Sequence, residues 1–275
     1  MSALVRRLFP LIAAIAVLCS SGCRLRDGEP LTLGEAREAL EEASLSNQAS
    51  MLANGTIEIS TNFTIGQAVE RAAEEIHDFI TTQLPCAEIT LIDATLTVEY
   101  GAKPGNCTYR GHSYTGTHIM TVAFSDDGAV EIDHEWDDLS NGVLSVSGTA
   151  NVTWSWVEDS RRVVHELTWT RLRDGRTGTG SGDWTYTLLD GGLLDGVMVD
   201  GWAGWDGTSG EWDLAIDQVE LRWIDPVPQS GAFHLSTPFG KDVTMTFERV
   251  DEDTIAVIIG SGSKEFTIEV TSLDL

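Results

Sequence analysis

Basic side chains are scarce in this chain: 17 Lys and Arg stand against 43 Asp and Glu among 275 residues, a formal charge of −26. So acidic a surface repels polyanions and argues against nucleic acid as a partner. The same charge keeps an exported β-rich chain from self-association. Catalytic signatures are missing as well. Gly260-Ser-Gly-Ser263 has neither the spacing nor the strand-to-helix setting of a nucleophile elbow. Gly178-Thr-Gly-Ser-Gly182 precedes a strand-like stretch, so it is no phosphate-binding loop. No segment carries EF-hand spacing, no cysteine sits in a C-x-x-C, and no repeat with a period of about 20–50 residues emerges. No apolar run is long enough to cross a membrane as a mature helix. Core-forming material is plentiful by contrast: 42% hydrophobic residues and nine tryptophans exclude wholesale disorder.

The longest apolar run, residues 8–18, has a telling setting. Arg6-Arg7 precedes it, and Cys19-Ser-Ser-Gly22-Cys23 follows it. A short basic start, an apolar stretch and small residues before a cysteine make residues 1–22 an export signal. On these residues the chain resembles a bacterial lipoprotein precursor. The resemblance covers residues 1–23 and departs from the usual pattern at Ser20, where that family more often has Leu. It implies cleavage before Cys23, acylation of Cys23 and a membrane partner through the lipid anchor so formed. With Arg24 rather than Asp next in line, it implies an outer-membrane lipoprotein of the cell envelope. Ordinary cleavage after Gly22, without acylation, is the alternative. Loss of Arg6 and Arg7 with the signal, and of no acid, moves the charge from −26 to −28.

Cys19 leaves with the signal, so Cys86 and Cys107 remain as a pair in a chain that has left the reducing cytosol. A disulfide is the default there, closing a loop of about 20 residues and stabilising by ~3 kcal/mol. A metal site is the weaker alternative, since neither cysteine has a histidine at ligand spacing.

Residues 23–31, with Arg24, Arg26, Asp27, Gly28 and Pro30, read as a tether. Residues 32–84 read as a helical segment. Thr32-Leu-Gly-Glu35 forms a capping box before a helix running to about Leu52. Thr64-Ile-Gly-Gln67 forms another before a helix at 65–84, whose apolar stripe includes Ile76, Phe79 and Ile80 and which Pro85 stops. His77 flanks that stripe as a structural residue.

From Glu88 onward the pattern alternates with period two, so residues 85–275 read as an antiparallel sheet forming one globular unit with 32–84. Leu144, Val146, Gly148, Ala150, Val152 and Trp154 take one face of a long strand; Ser and Thr take the other. Tight turns at Glu158–Arg161 and Arg173–Arg176 would set Trp169 opposite Ala150 and Gly180, and His165 opposite Trp154 and Trp184. Phase shifts predict β-bulges near Asp137-Asp138 and Asp217-Gln218. The fold class expected is mainly β (α+β): a large curved antiparallel meander of about 11–12 strands, or a wide barrel, packed on an N-terminal helix. The 65–84 helix is the expected cover of its apolar face.

Candidate chemistry is thin. His112 and His118 lack a third metal ligand, and His134 falls opposite Met120 as part of an aromatic face, so no metal or other cofactor is assigned. Asp133, Glu135, Asp137 and Asp138 could serve an envelope hydrolase, but acids on alternate strand positions also make a solvated face. Trp202, Trp205 and Trp212, set among glycines and acids, are the candidate ligand platform, with carbohydrate the natural ligand; burial of the sheet rim is the alternative. If the helix can lift away, Ile76, Phe79, Trp154, His165, Trp169 and Trp184 would line a cavity for a lipid or other apolar molecule. The leading expectation is a non-enzymatic, lipid-anchored binding or structural module, its protein partners unassigned.

Overall fold

The computed structural model describes residues 28–61, 68–109, 111–125, 129–155, 157–192 and 195–271. The signal, Cys23, the Thr64–Gln67 capping box and the turn at residues 126–128 lie outside them.

Among the described residues two helices precede fifteen strands. Helix α1 is Leu33–Ile59 and α2 is Val69–Gln83. The strands are β1 (Glu88–Ile92), β2 (Thr95–Tyr100), β3 (Thr108–Tyr109), β4 (His112–Ser113), β5 (Thr115–Phe124), β6 (Val130–Ser140), β7 (Leu144–Ser155) and β8 (Ser160–Arg171). They continue as β9 (Arg176–Leu188), β10 (Gly196–Gly207), β11 (Gly210–Arg222), β12 (Ser230–Ser236), β13 (Asp242–Arg249), β14 (Thr254–Ser261) and β15 (Lys264–Thr271). All but β3 and β4 join one sheet in sequence order, from β1 at one edge to β15 at the other. The chain is thus mainly β and a meander, as its pattern implies. The sheet is open, which removes the barrel alternative, and its thirteen strands exceed the expected count.

The chain divides into two compact units, one of Met1–Asn47 with Gly182–Leu275 and the other of Gln48–Ser181. The boundaries fall inside α1 and inside β9 rather than between helices and sheet.

In the first unit, the Thr32 capping box forms as read. The Thr32 amide donates to Glu35 Oε2 at 2.7 Å, and the Glu35 amide donates to Thr32 Oγ1 at 3.3 Å. Ala36, Ala39 and Ala43 let the helix lie close on the sheet, over a core that includes Trp205, Trp212, Leu235, Met245, Phe247, Val257 and Ile259. Lys241 Nζ donates to Glu35 Oε2 at 2.8 Å. That ammonium, with the Thr32 amide, holds the Glu35 carboxyl down at about 2.

In the second unit, α1 runs on to Ile59, beyond the expected end near Leu52. Gly55 lies within it, and the Tyr114 hydroxyl takes the place of a side chain there, 2.6 Å from where a Cβ would sit. Thr56, Ile57, Glu58, Ile59 and Ser60 are all buried, so this end of the helix is enclosed rather than laid on a surface. Helix α2 buries Ala72, Ala73, Ile76 and Ile80 and packs chiefly on β1, β2 and β5. The expectation that α2 alone covers the sheet is therefore corrected: α1 supplies cover in each unit. Cys86 and Cys107 form a disulfide with Cα atoms 5.3 Å apart.

Both predicted bulges are present. The β6–β7 register shifts between Trp136 and Leu139, and the β11–β12 register between Asp217 and Glu220. Asp138 and Gln218 take positive φ at these points, 51° and 45°. The β7–β8 register differs from expectation. His165 pairs with Ala150, Trp169 with Val146 and Arg161 with Trp154, four residues from the predicted partners. The cause is turn length: strand pairing stops at Ser155 and Ser160 instead of closing at a two-residue turn. At the next hairpin residues 172–175 form the loop, with the Gly175 amide donating to the Arg171 carbonyl at 2.9 Å. An even shift leaves every side chain on its expected face, which is why inward and outward assignments survive.

Candidate functional site

The three candidate tryptophans fall on two faces. Trp205 and Trp212 pair across β10 and β11 with rings 6.0 Å apart and nearly parallel, 6% and 1% exposed beneath α1. Phe239 meets Trp212 edge-on at 5.6 Å. Trp202, an odd number of residues from Trp205 on a regular stretch, points the other way and is 47% exposed. The trio is therefore not one platform: two members are core, and Trp202 alone faces solvent.

Register sets the surroundings of Trp202. It pairs with Ala215, Ala215 with His234, and His234 with Thr244, a row crossing β10 to β13 on the face away from α1. Ala215 and His234 are themselves exposed, so the floor between indole and imidazole is open. Gly204, next along β10 on this face, pairs with Asp213. A Cβ at Gly204 would lie 3.7 Å from the Trp202 ring and 3.3 Å from Asp213 Oδ1, so indole and carboxylate flank the same bare stretch of backbone.

The other candidates take separate places. Ile76 is fully buried on α2, and Phe79 packs edge-on to Tyr109 at 6.1 Å. Trp169 and His165 are buried on β8, and Trp184 on β9. Trp154 lies on β7 under the Arg161 guanidinium, which is 5.2 Å from its ring centroid. Arg161 also donates to Glu58 at 2.8 Å in a buried ion pair. Ile76, Trp169, His165 and Trp184 are core constituents, while Phe79 and Trp154 are half-buried. Asp133, Glu135, Asp137 and Asp138 are exposed on β6. Asn151 donates to Asp133 at 2.8 Å and Ser145 to Asp138 at 3.4 Å. An acid–base pair needs carboxylates in contrasting environments, and these share one solvated face.

One cluster went unread in the sequence. His134 pairs with Met120 as expected, which puts His118 beside it on the core face, opposite Trp136. His118 Nε2 and His134 Nδ1 share a hydrogen bond of 2.9 Å, and the Tyr100 hydroxyl meets His118 Nδ1 at 3.3 Å. All three rings around His118 stack: His134 at 5.2 Å, Trp136 at 5.4 Å and Tyr100 at 6.4 Å. Burial holds both imidazoles neutral, pushing His134 down to about 3 and His118 well below its ordinary value. The Trp136 indole donates to Thr56 Oγ1 at 2.8 Å, and Thr56 donates to the Ala53 carbonyl at 2.8 Å, tying the stack to α1. The i and j±2 geometry of a paired histidine was the available signal.

Among the described residues no three His, Cys, Asp or Glu side chains are grouped to hold a metal ion, and no helix is long and apolar enough to cross a membrane. Set beside known proteins, the chain matches no protein-family profile, no curated protein and no solved structure.

Proposed function

We propose that this chain is a lipid-anchored protein of a bacterial cell envelope that acts as a non-enzymatic binding module, presenting the helix-free face of its sheet. The observation that carries the role is the unequal treatment of the two sheet faces in the first unit. One face buries Trp205 and Trp212 beneath α1; the other leaves Trp202, Ala215 and His234 open beside Asp213. Trp202 stands in an open row with Ala215 and His234 rather than alone, and an aromatic side chain in such a row supports reading this face as a contact surface. Arg6-Arg7, the apolar run and Cys23 support the anchor. The carrier alternative draws less support, because Ile76, Trp169, His165 and Trp184 are packed away from solvent.

Anchoring is tested by growing a bacterial host that expresses the full chain with an alkyne-tagged palmitate and fractionating its membranes. Labelled protein in the membrane fraction, with label lost in Cys23→Ser, is the expected result. Unlabelled protein in the soluble fraction would overturn it.

A further inference from the structure

We infer that Trp202, Gly204, Asp213, Ala215 and His234 form a subsite for one neutral pyranose ring of a polysaccharide or glycoconjugate. Such a subsite depends on the helix-free face being the binding face, as proposed above, and gives that face its ligand class. Adjacent strands lie about 4.8 Å apart, so the Cα atoms of Trp202 and His234 are separated by about 10 Å across Ala215. That row sets an indole at one end, an imidazole at the other and a methyl floor between them, all open to solvent.

The chemistry of each part favours a sugar. The C–H face of a pyranose lies flat on an indole, and tryptophan has the largest such surface. Asp213 offers two acceptor oxygens to adjacent hydroxyls, forming the charge-assisted hydrogen bonds that distinguish a polyol from a plain hydrocarbon. Gly204 keeps the backbone bare between indole and carboxylate, so a ring can touch both. Ser236 and Thr244 add hydroxyls at the rim of the same face. Charge sets the selectivity. Asp200, Asp206, Glu211, Asp217 and Asp242 accompany Asp213 on the surrounding strands, and the whole chain is at −26. A sulfated or carboxylated sugar is therefore repelled, and a neutral one is accepted.

The test takes the chain as purified from the expressing host, in detergent, and applies it to an array of neutral, amine-bearing and sulfated oligosaccharides. Affinity is then measured on the best neutral ligand. Binding to neutral sugars, weakened at least about tenfold by Trp202→Ala and by Asp213→Asn at unchanged melting temperature, supports the subsite. Both side chains are exposed, so neither substitution disturbs the core. Undiminished binding by Trp202→Ala, or preference for sulfated sugars, overturns it. Binding lost only in an Asp133→Lys, Glu135→Lys variant overturns this subsite while leaving a sheet-face binder standing. Shortened sugar products overturn the non-enzymatic role itself, and absence of binding to every sugar overturns the ligand class while Cys23 labelling still reports on the anchor.

Discussion

A Cβ placed on Gly116 would collide with the carbonyl oxygen of Asp138. Gly116 sits in β5 directly beside the β6 bulge, at φ +99°. Gly231 repeats the relationship in β12, where its Cβ would strike the Gln218 carbonyl oxygen at the β11 bulge. A bulge throws one carbonyl sideways out of the ladder, and the neighbouring strand must yield the room. Gly116→Ala and Gly231→Ala should each cost over about 2 kcal/mol, from the left-handed backbone plus the clash. Gly142→Ala, at φ +82° with open space around it, should cost only about 1 kcal/mol. Urea denaturation of the three variants measures the difference; equal losses would remove the bulge–glycine coupling.

Acid should unfold the protein through its histidines. Burial lowers His134 to about 3 and His165 to about 4, and lowers His118 too. These groups stay neutral in the folded chain but take up protons once it unfolds, from their ordinary value of 6.5 downward. The unfolded state then binds more protons, so stability falls as pH drops from about 6.5 toward 4 and is insensitive to these groups above about 7.5. Urea midpoints at pH 7.5, 6.0 and 5.0, spanning about that window, read this directly, and a midpoint that holds to the lowest of them would contradict it.

Trp212→Ala should destabilise by about 3–5 kcal/mol, since it empties a site under α1, whereas Trp202→Ala should stay within about 0.5 kcal/mol. Thermal melts of the two variants separate them. Their sequence settings are alike, and only face and burial distinguish them.

Glu58 is the charged acceptor of the buried Arg161 guanidinium, and its loss leaves that charge without its counter-ion. Glu58→Gln should cost about 3–5 kcal/mol, while replacing both residues by leucine should recover much of that loss. Chemical denaturation of the single and double variants checks it. The disulfide offers a parallel measurement: Cys86→Ala with Cys107→Ala should lower stability by about 3 kcal/mol.

Period-two patterning made the sheet, its parity and both bulges legible, because a phase change such as Trp136 against Val146 has only one remedy. It could not fix the β7–β8 pairing, since slips of two or four residues conserve every face; where pairing ends, at Ser155 and Ser160, decides that, and that end is not written in hydrophobicity. Helix α1 hid its length for a related reason. Asn54-Gly55-Thr56-Ile57 is poor in helix propensity, and only the burial of residues 56–60, with Tyr114 packed against Gly55, shows what the longer helix gains. The Trp202 row needed three registers at once, so the sequence could mark the tryptophans but not sort them.

Helix α1 also sets an order of events during synthesis. Leu31, just before it, donates its amide to Ser261 Oγ, 230 residues downstream, and Ala36 and Ala39 share a core with side chains from Trp205 to Ile259. Thr56 finds Trp136 only 80 residues on. The two ends of one helix thus wait for different lengths of chain. The stretch from Gln48 to Ser181 has its partners early, and the first residues of the helix gain theirs only as β10 and the strands after it emerge. A chain stalled before β10 would therefore hold Ala36, Ala39 and Ala43 without the strands that cover them, a form open to proteases and chaperones.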